Sequence, residues 1–386
     1  MEDHPLSPNL GESVGGGEFP AIDYLEWYVP RLQAGVSHDL SQSGFHYPWD
    51  WQKLSGGKMP DDLTNQFSKT PLDPRAWVAK REGVKPSQVA GGHGVSQSLL
   101  FALLSVMNAE KPRKVAVEMP SYAPVSQFPR ALGFEVLPFW RGPKNSEDCG
   151  SWRIDRESLE SIIDDVCAVI TTPVQNPTGW MMDEDDQQWL SDICKNKGVG
   201  LISDEVYLDT TIGTPHYRPM HNYGSHCVSV NSLTKCYGLG PLRMGWLIGS
   251  EKTATNAVRV MNNLQGMLAT PSLRLAEMAW PYLEEPLGLI KKRREENLPH
   301  LIDVLTANGI KWTPPPTGIF GCIPLPADVD CQRFVEDICS KHDVLATPAL
   351  MFSSKLTNMI RVAWGGEPEA FVAAMDAFDS CLQELK

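Results

Sequence analysis

The sequence predicts an α/β protein: a large unit on a mostly parallel sheet sandwiched by helices, then a smaller α+β unit at the C-terminus. Three observations predict it. From about residue 89 to residue 248, short β-rich runs alternate with helical stretches, the pattern of βαβ crossovers. Beyond residue 271 the character changes to a long charged helix, a proline-rich joint and an amphipathic last helix. A chain of 386 residues, 42% hydrophobic, can bury a large core without disulfides or a structural metal.

Taken in order, residues 1–20 read as an arm with little to bury, carrying Gly15, Gly16 and Gly17 in a row. Residues 21–52 turn aromatic and apolar, as in a short helix followed by a segment docked on the small unit. The large unit spans 53–270. Its first part is broken by glycine and proline, with a helix near 75–81. Strands are expected at 115–118, 135–137, 168–171, 200–203, 227–230 and 243–248, with a further strand before Gly91. Helices are expected at 95–108, 123–132, 155–164 and 183–197. The small unit, 271–386, opens with a helix over 284–308, bends at 314–316 and ends in a helix over 368–385.

Charge narrows the function. Lys and Arg number 34 against 47 Asp and Glu, a net of −13, the wrong sign for a surface that displaces phosphate counterions. The basic run Lys291 to Arg294 leads directly into Glu295 and Glu296, the mark of a solvated helix face. No apolar stretch approaches the length of a membrane span, and residues 1–20 lack the apolar core of a secretory signal. The nine cysteines are scattered without a CxxC pair, and the nine histidines form no ligand spacing. A soluble cytoplasmic enzyme that uses no metal and binds neither nucleic acid nor membrane is therefore expected.

Five motifs stand at strand ends. Gly91-Gly92-His93-Gly94-Val95-Ser96 joins a strand to a helix and offers free N–H groups to an anion. It lacks the third glycine of a dinucleotide fingerprint, which disfavours a nicotinamide-dependent dehydrogenase. Tyr122, in Pro120-Ser121-Tyr122, can stack on a flat ring. Asn176, in the turn Asn176-Pro177-Thr178-Gly179, can bond a ligand oxygen. Asp204 leaves an apolar strand, where a carboxylate needs a cation such as a protonated ring nitrogen, and Tyr207 follows three residues on. Lys235 follows another apolar strand, flanked by Ser232 and Thr234, with Arg243 eight residues later. This suits a nucleophilic amine beside a phosphate site. Each motif alone has an ordinary explanation, a tight turn or a core tyrosine. Their order does not.

With these residues the chain resembles the pyridoxal-phosphate enzymes of fold type I, in the class I/II aminotransferase family, from about residue 89 to residue 365. The resemblance implies a seven-stranded sheet in the large domain and a homodimer with shared sites. It implies that Lys235 carries pyridoxal 5′-phosphate as a Schiff base and shuttles protons. It further implies that Asp204 keeps the ring nitrogen protonated, that Tyr207 and Asn176 bond the ring hydroxyl and that Tyr122 stacks on the ring. Val95, Ser96, Ser232, Thr234 and Arg243 would hold the phosphate. Arg361, in Ile360-Arg361-Val362, would clamp the substrate carboxylate, and the segment 39–44, ending at Gly44, resembles the one that closes over the substrate. Two departures stand out: Pro241 within Gly238-Leu239-Gly240-Pro241-Leu242-Arg243, and Pro348-Ala349 where the family has Pro-Gly.

The implied reaction moves an amino group between an L-amino acid and a 2-oxo acid. The same residues serve elimination, decarboxylation or the cyclising chemistry of capreomycidine synthases. The segments expected around the substrate, 21–28, 39–47, 316–320 and 346–352, contain no Lys or Arg. A neutral, apolar or aromatic donor is therefore expected over aspartate, because a buried second carboxylate needs a cation.

Overall fold

A computed structural model describes residues 21–58, 72–145 and 149–386. The arm expected over 1–20, and the stretch 59–71 of the expected large unit, lie outside the described residues.

The strands, in chain order, are β1 His38–Asp39, β2 Val89–His93, β3 Lys114–Met119, β4 Glu135–Asn145, β5 Gly150–Ile154, β6 Ala168–Thr171 and β7 Gly200–Asp204. They continue with β8 Cys227–Ser232, β9 Met244–Ile248, β10 Phe320–Pro324, β11 Val344–Leu345, β12 Thr347–Pro348 and β13 Met359–Ala363. One sheet runs β2-β9-β8-β7-β6-β3-β4-β5. Its centre is parallel, and β2, β9 and β5 enter antiparallel. That is eight strands where seven were expected. The extra one, β5, alternates buried Trp152 and Ile154 with exposed Ser151 and half-exposed Arg153 against an elongated β4. Glycine, proline and charge around residues 141–150 hide that alternation in the sequence.

Period-two alternation distributes the central strands between two faces. Val115, Val117, Ile170 and Ile202 pack beneath the helix Gly94–Val106, through its Leu99, Phe101 and Leu103. Ala116, Val169 and Leu201 pack on the other face with Leu159, Leu190 and Cys194. All these side chains are buried, so the strands read as continuous apolar runs.

A second, antiparallel sheet, β10-β13-β12, packs with the helices Glu284–Ala307 and Pro368–Gln383. Trp27 and Leu40 join that core, and β1 pairs parallel with β11. The basic run divides within its helix. Lys292, 64% exposed, pairs with Glu296 at 3.6 Å, as a solvated face would, whereas Arg293 is largely enclosed between Glu296, at 3.4 Å, and Glu367. Arg294 instead lies over the Trp364 ring and donates to the Pro315 carbonyl at 2.6 Å, so it is a packing residue. Among the described residues no helix is long and apolar enough to cross a membrane.

Candidate active site

The C-terminal ends of β3, β6, β7 and β8 deliver Tyr122, Asn176, Asp204 and Lys235 to the same edge of the large sheet, as expected for a parallel α/β sheet. Val95, Ser96, Tyr122, Asn176, Asp204, Tyr207, Ser232, Thr234, Lys235 and Arg243 line one cavity of about 280 Å³, joined by Val125, Thr172 and Val206.

Asp204 ends the fully buried strand β7. Its carboxylate accepts from the Val206 N–H at 3.3 Å, and burial raises its pKa to about 7. Lys235 follows β8; enclosure, then the positive charge of Arg361, lowers its pKa to about 8. Its Nζ lies 5.9 Å from the centre of the Tyr122 ring and donates to Ser43 Oγ at 2.9 Å. The Lys235 carbonyl accepts from the Phe45 N–H at 2.8 Å, so residues 43–45 run along the lysine. Gly44 is part of that approach: a Cβ there would come 3.9 Å from Lys235 Cδ.

The opposite end of the cavity is an anion cradle. Val95 and Ser96 occupy the first turn of the helix Gly94–Val106, whose leading N–H groups have no helical acceptor. Arg243 reaches them by donating to the His93 and Gly240 carbonyls at 3.3 and 3.5 Å. Gly94 holds φ +74°, and a Cβ there would lie 2.5 Å from Arg243 Nη2, so only glycine leaves the guanidinium its place. Pro241 sits early in the short helical turn Gly240–Leu242, a position its ring suits, and the turn aims Arg243 inward.

Asn176 is held by a turn that closes on Gly179, at φ +72°, where a Cβ would meet the Phe320 carbonyl. Its Oδ1 accepts from Arg361 Nη1 at 2.8 Å. Arg361, on β13, is fully buried. Its Nη2 also donates to Tyr24 Oη, the Ser41 carbonyl and Thr347 Oγ1, while its buried Nε has no partner among the described residues. Tyr207 is buried, donates to the Ser43 carbonyl at 2.9 Å and sets its ring edge-on to Phe320; burial keeps its hydroxyl protonated. Burial likewise pushes Tyr122 up to about 12.

Several contributors escape sequence reasoning. Tyr24, on the helix Asp23–Ala34, stacks on Tyr28, meets Tyr122 edge-on and contacts Phe352. The i,i+4 spacing of Tyr24 and Tyr28 was the available signal. Trp27, expected near the substrate, faces the C-terminal core and donates to Glu336 at 3.0 Å. Behind the cavity the buried pair Arg141–Glu118 sits at 3.3 Å. Glu118 also accepts from Thr171 and from Gln175, and Gln175 donates to the Pro120 carbonyl at 3.0 Å. Arg141 donates to the carbonyls of Thr172, Pro173 and Trp180. This network fastens the loops that carry Tyr122 and Asn176.

The donor set fits pyridoxal phosphate. The cradle suits a phosphate ester, and Asp204, buried with one N–H donor, suits a protonated ring nitrogen. Lys235 offers an enclosed amine of lowered pKa.

Residues 76–378 match the family model described as aminotransferase class I and II. Threonine-phosphate decarboxylase of Salmonella typhimurium is 26% identical over 54% of this chain and 57% of its own length. This chain therefore spans little more than half of that relative. Capreomycidine synthase of Streptomyces vinaceus is 25% identical over 88% of each chain. A PLP-dependent aminotransferase of Streptococcus suis superposes with a TM-score of 0.82 at 21% identity, covering 96% of this chain and 99% of that one.

Proposed function

The chain belongs to the family of class I and II aminotransferases, pyridoxal-phosphate-dependent enzymes of fold type I, and on that premise we propose that it moves an amino group between an L-amino acid and a 2-oxo acid. The observation that carries the reading is the single cavity in which a lysine of lowered pKa, a buried carboxylate and an anion cradle converge, with Arg361 bonded to its wall through Asn176.

When bound, pyridoxal phosphate supplies an electron sink for the charge left as a bond to the substrate α-carbon breaks. The chain's own residues do the rest. Val95, Ser96, Ser232, Thr234 and Arg243 hold the phosphate. Tyr122 would pack against the ring, Asn176 and, on leaving the Ser43 carbonyl, Tyr207 would bond its hydroxyl oxygen, and Asp204 would keep its nitrogen protonated. Lys235 would hold the group, and its amine would serve as general base and acid for the proton on the substrate α-carbon. Arg361 would orient the substrate carboxylate, with Gly44 beside the lysine.

Among the residues lining the cavity the cations are Lys235 and Arg243, both committed to the cofactor. A neutral, apolar or aromatic donor follows. A panel of amino donors with detection of the 2-oxo acid tests this. Phenylalanine, leucine or methionine should exceed aspartate in kcat/KM, and much higher efficiency with aspartate would refute the donor class. The second reading, a cyclising or eliminating enzyme, draws on the similarity to capreomycidine synthase across 88% of the chain. In that case the product keeps its nitrogen or loses it as ammonia, and no 2-oxo acid acceptor is needed.

The working enzyme is proposed as a homodimer, with 21–52, 53–270 and 271–386 as its segment and two domains. Exposed Leu264 and Met267, 60% and 56% accessible beside Gly266, suit a surface covered by a second copy. Sedimentation of a fully active monomer would defeat that assembly.

A further inference from the structure

Ser43 touches two groups of the site with two different atoms. Its Oγ accepts from Lys235 Nζ at 2.9 Å, and its carbonyl accepts from the Tyr207 hydroxyl at 2.9 Å. The segment bearing it is fixed on both sides. Upstream, the Leu40 N–H donates to the Leu345 carbonyl at 2.9 Å, and the Leu40 carbonyl accepts from the Ala363 N–H at 2.8 Å. Asp39 accepts from the Ser41 N–H at 2.9 Å and from Gln42 Nε2 at 3.0 Å. Downstream, the Phe45 N–H closes on the Lys235 carbonyl at 2.8 Å. The hydroxyl is thus held at a set point beside the amine, the preorganisation a proton-handling group requires.

We propose that Ser43 is a catalytic residue: its hydroxyl is the station at which the free Lys235 amine is held, with one N–H engaged, while that amine accepts and returns protons. The proposal rests on the reading of Lys235 as the reactive amine. Loss of an α-proton puts an ammonium on Lys235, and the ammonium donates to the Ser43 oxygen more strongly than the amine does. Return of the proton restores the weaker bond. No atom is exchanged with Ser43; it accepts one hydrogen bond throughout. Tyr207 is unaffected by changes to the hydroxyl because its partner is the Ser43 carbonyl.

The test uses the cofactor-free protein and its holoenzyme. In the cofactor-free protein, competitive acylation of Lys235 by a trace reagent, read by peptide mass spectrometry across pH, gives the midpoint at which the amine becomes reactive. Removing the acceptor destabilises the enclosed ammonium, so Ser43→Ala should lower that midpoint by about half a unit or more, and Ser43→Thr should restore it. In the holoenzyme Ser43→Ala should lower kcat by about tenfold or more with KM little changed, and shift the acidic limb of the kcat–pH profile in the same direction. An unchanged midpoint and an unchanged kcat profile in Ser43→Ala would overturn the proposal. Were Ser43→Ala to fold poorly, Ser43→Thr and Ser43→Cys form the comparison. A midpoint lower with the weak thiol acceptor supports the role, and equal midpoints overturn it. Borohydride fixing the cofactor on another lysine would instead sink the reading of Lys235 itself, a separable result.

Discussion

Arg361 and Asn176 are bonded side chain to side chain at 2.8 Å, although one lies on the small C-terminal sheet and the other in the turn after β6 of the large sheet. The residues proposed as substrate clamp and cofactor ligand are therefore one hydrogen-bonded unit, and Tyr24 extends it to the N-terminal helix. The guanidinium is buried and held by Asn176, Tyr24, Ser41 and Thr347, so its plane is fixed by four separate segments.

Arg361→Lys should raise KM for the amino acid by about 10- to 100-fold, since a point charge cannot replace a two-pronged donor. Tyr24→Phe removes one acceptor and should cost about threefold to tenfold in kcat/KM, with cofactor affinity unchanged. Steady-state kinetics and cofactor titration measure both.

Lys235→Ala should lower turnover by at least about 10²- to 10⁴-fold, the range for loss of a general acid–base group. Borohydride reduction of wild-type holoenzyme followed by peptide mapping should place the cofactor's mass on the peptide containing Lys235. A label on another lysine refutes the assignment.

The buried carboxyls Asp204 and Glu205, raised by burial to about 7 and about 8, set a pH signature in the cofactor-free protein. A folded-state pKa above the unfolded value means that stability present at low pH is lost as pH rises. Asp204 contributes its loss from its ordinary value of 3.8 up to about 7, and Glu205 from 4.5 up to about 8. Lys235, lowered from 10.5 to about 8, works oppositely and at higher pH, returning stability as pH rises from about 8 to 10.5. Melting curves of Asp204→Asn and Glu205→Gln should therefore exceed wild type by a margin that grows between about pH 4 and about pH 8. A margin constant across pH contradicts the assignment.

Arg141→Met leaves Glu118 as an unpaired buried charge and should cost about 3–5 kcal/mol in denaturant unfolding. The double variant Arg141→Met with Glu118→Leu should regain part of that loss, because no lone charge remains. Both should also loosen cofactor binding, through the loops of Tyr122 and Asn176.

Much of this was legible in the sequence because βαβ chemistry is local: an apolar strand followed by a polar residue places that residue at the sheet edge. Asp204, Lys235, Asn176 and Tyr122 follow that rule. Arg243 was legible through its spacing from Lys235, and the structure adds only that Gly94 makes its room. The segments that carry Tyr24, Ser43 and Thr347 were expected around the substrate, but the partner of each was not legible, since it comes from a segment far away in the chain. Strand β5 was missed because its partner β4 runs on through glycine and proline.

The parallel pairing of β1 with β11 also imposes an order of assembly. Tyr24 and Leu40 are synthesised before their docking partners, Arg361 for the first and Leu345 and Ala363 for the second, which lie far along the chain. The large sheet needs none of them and ends at β9. A nascent chain halted before β13 thus has the full sheet with Lys235, and can hold the N-terminal segment through Ser43 and Phe45, while the contacts to Ala363 and Arg361 are still missing. Long-range closure of this kind is slow relative to local pairing, so the residues proposed to hold the cofactor come together before Arg361 reaches its partners.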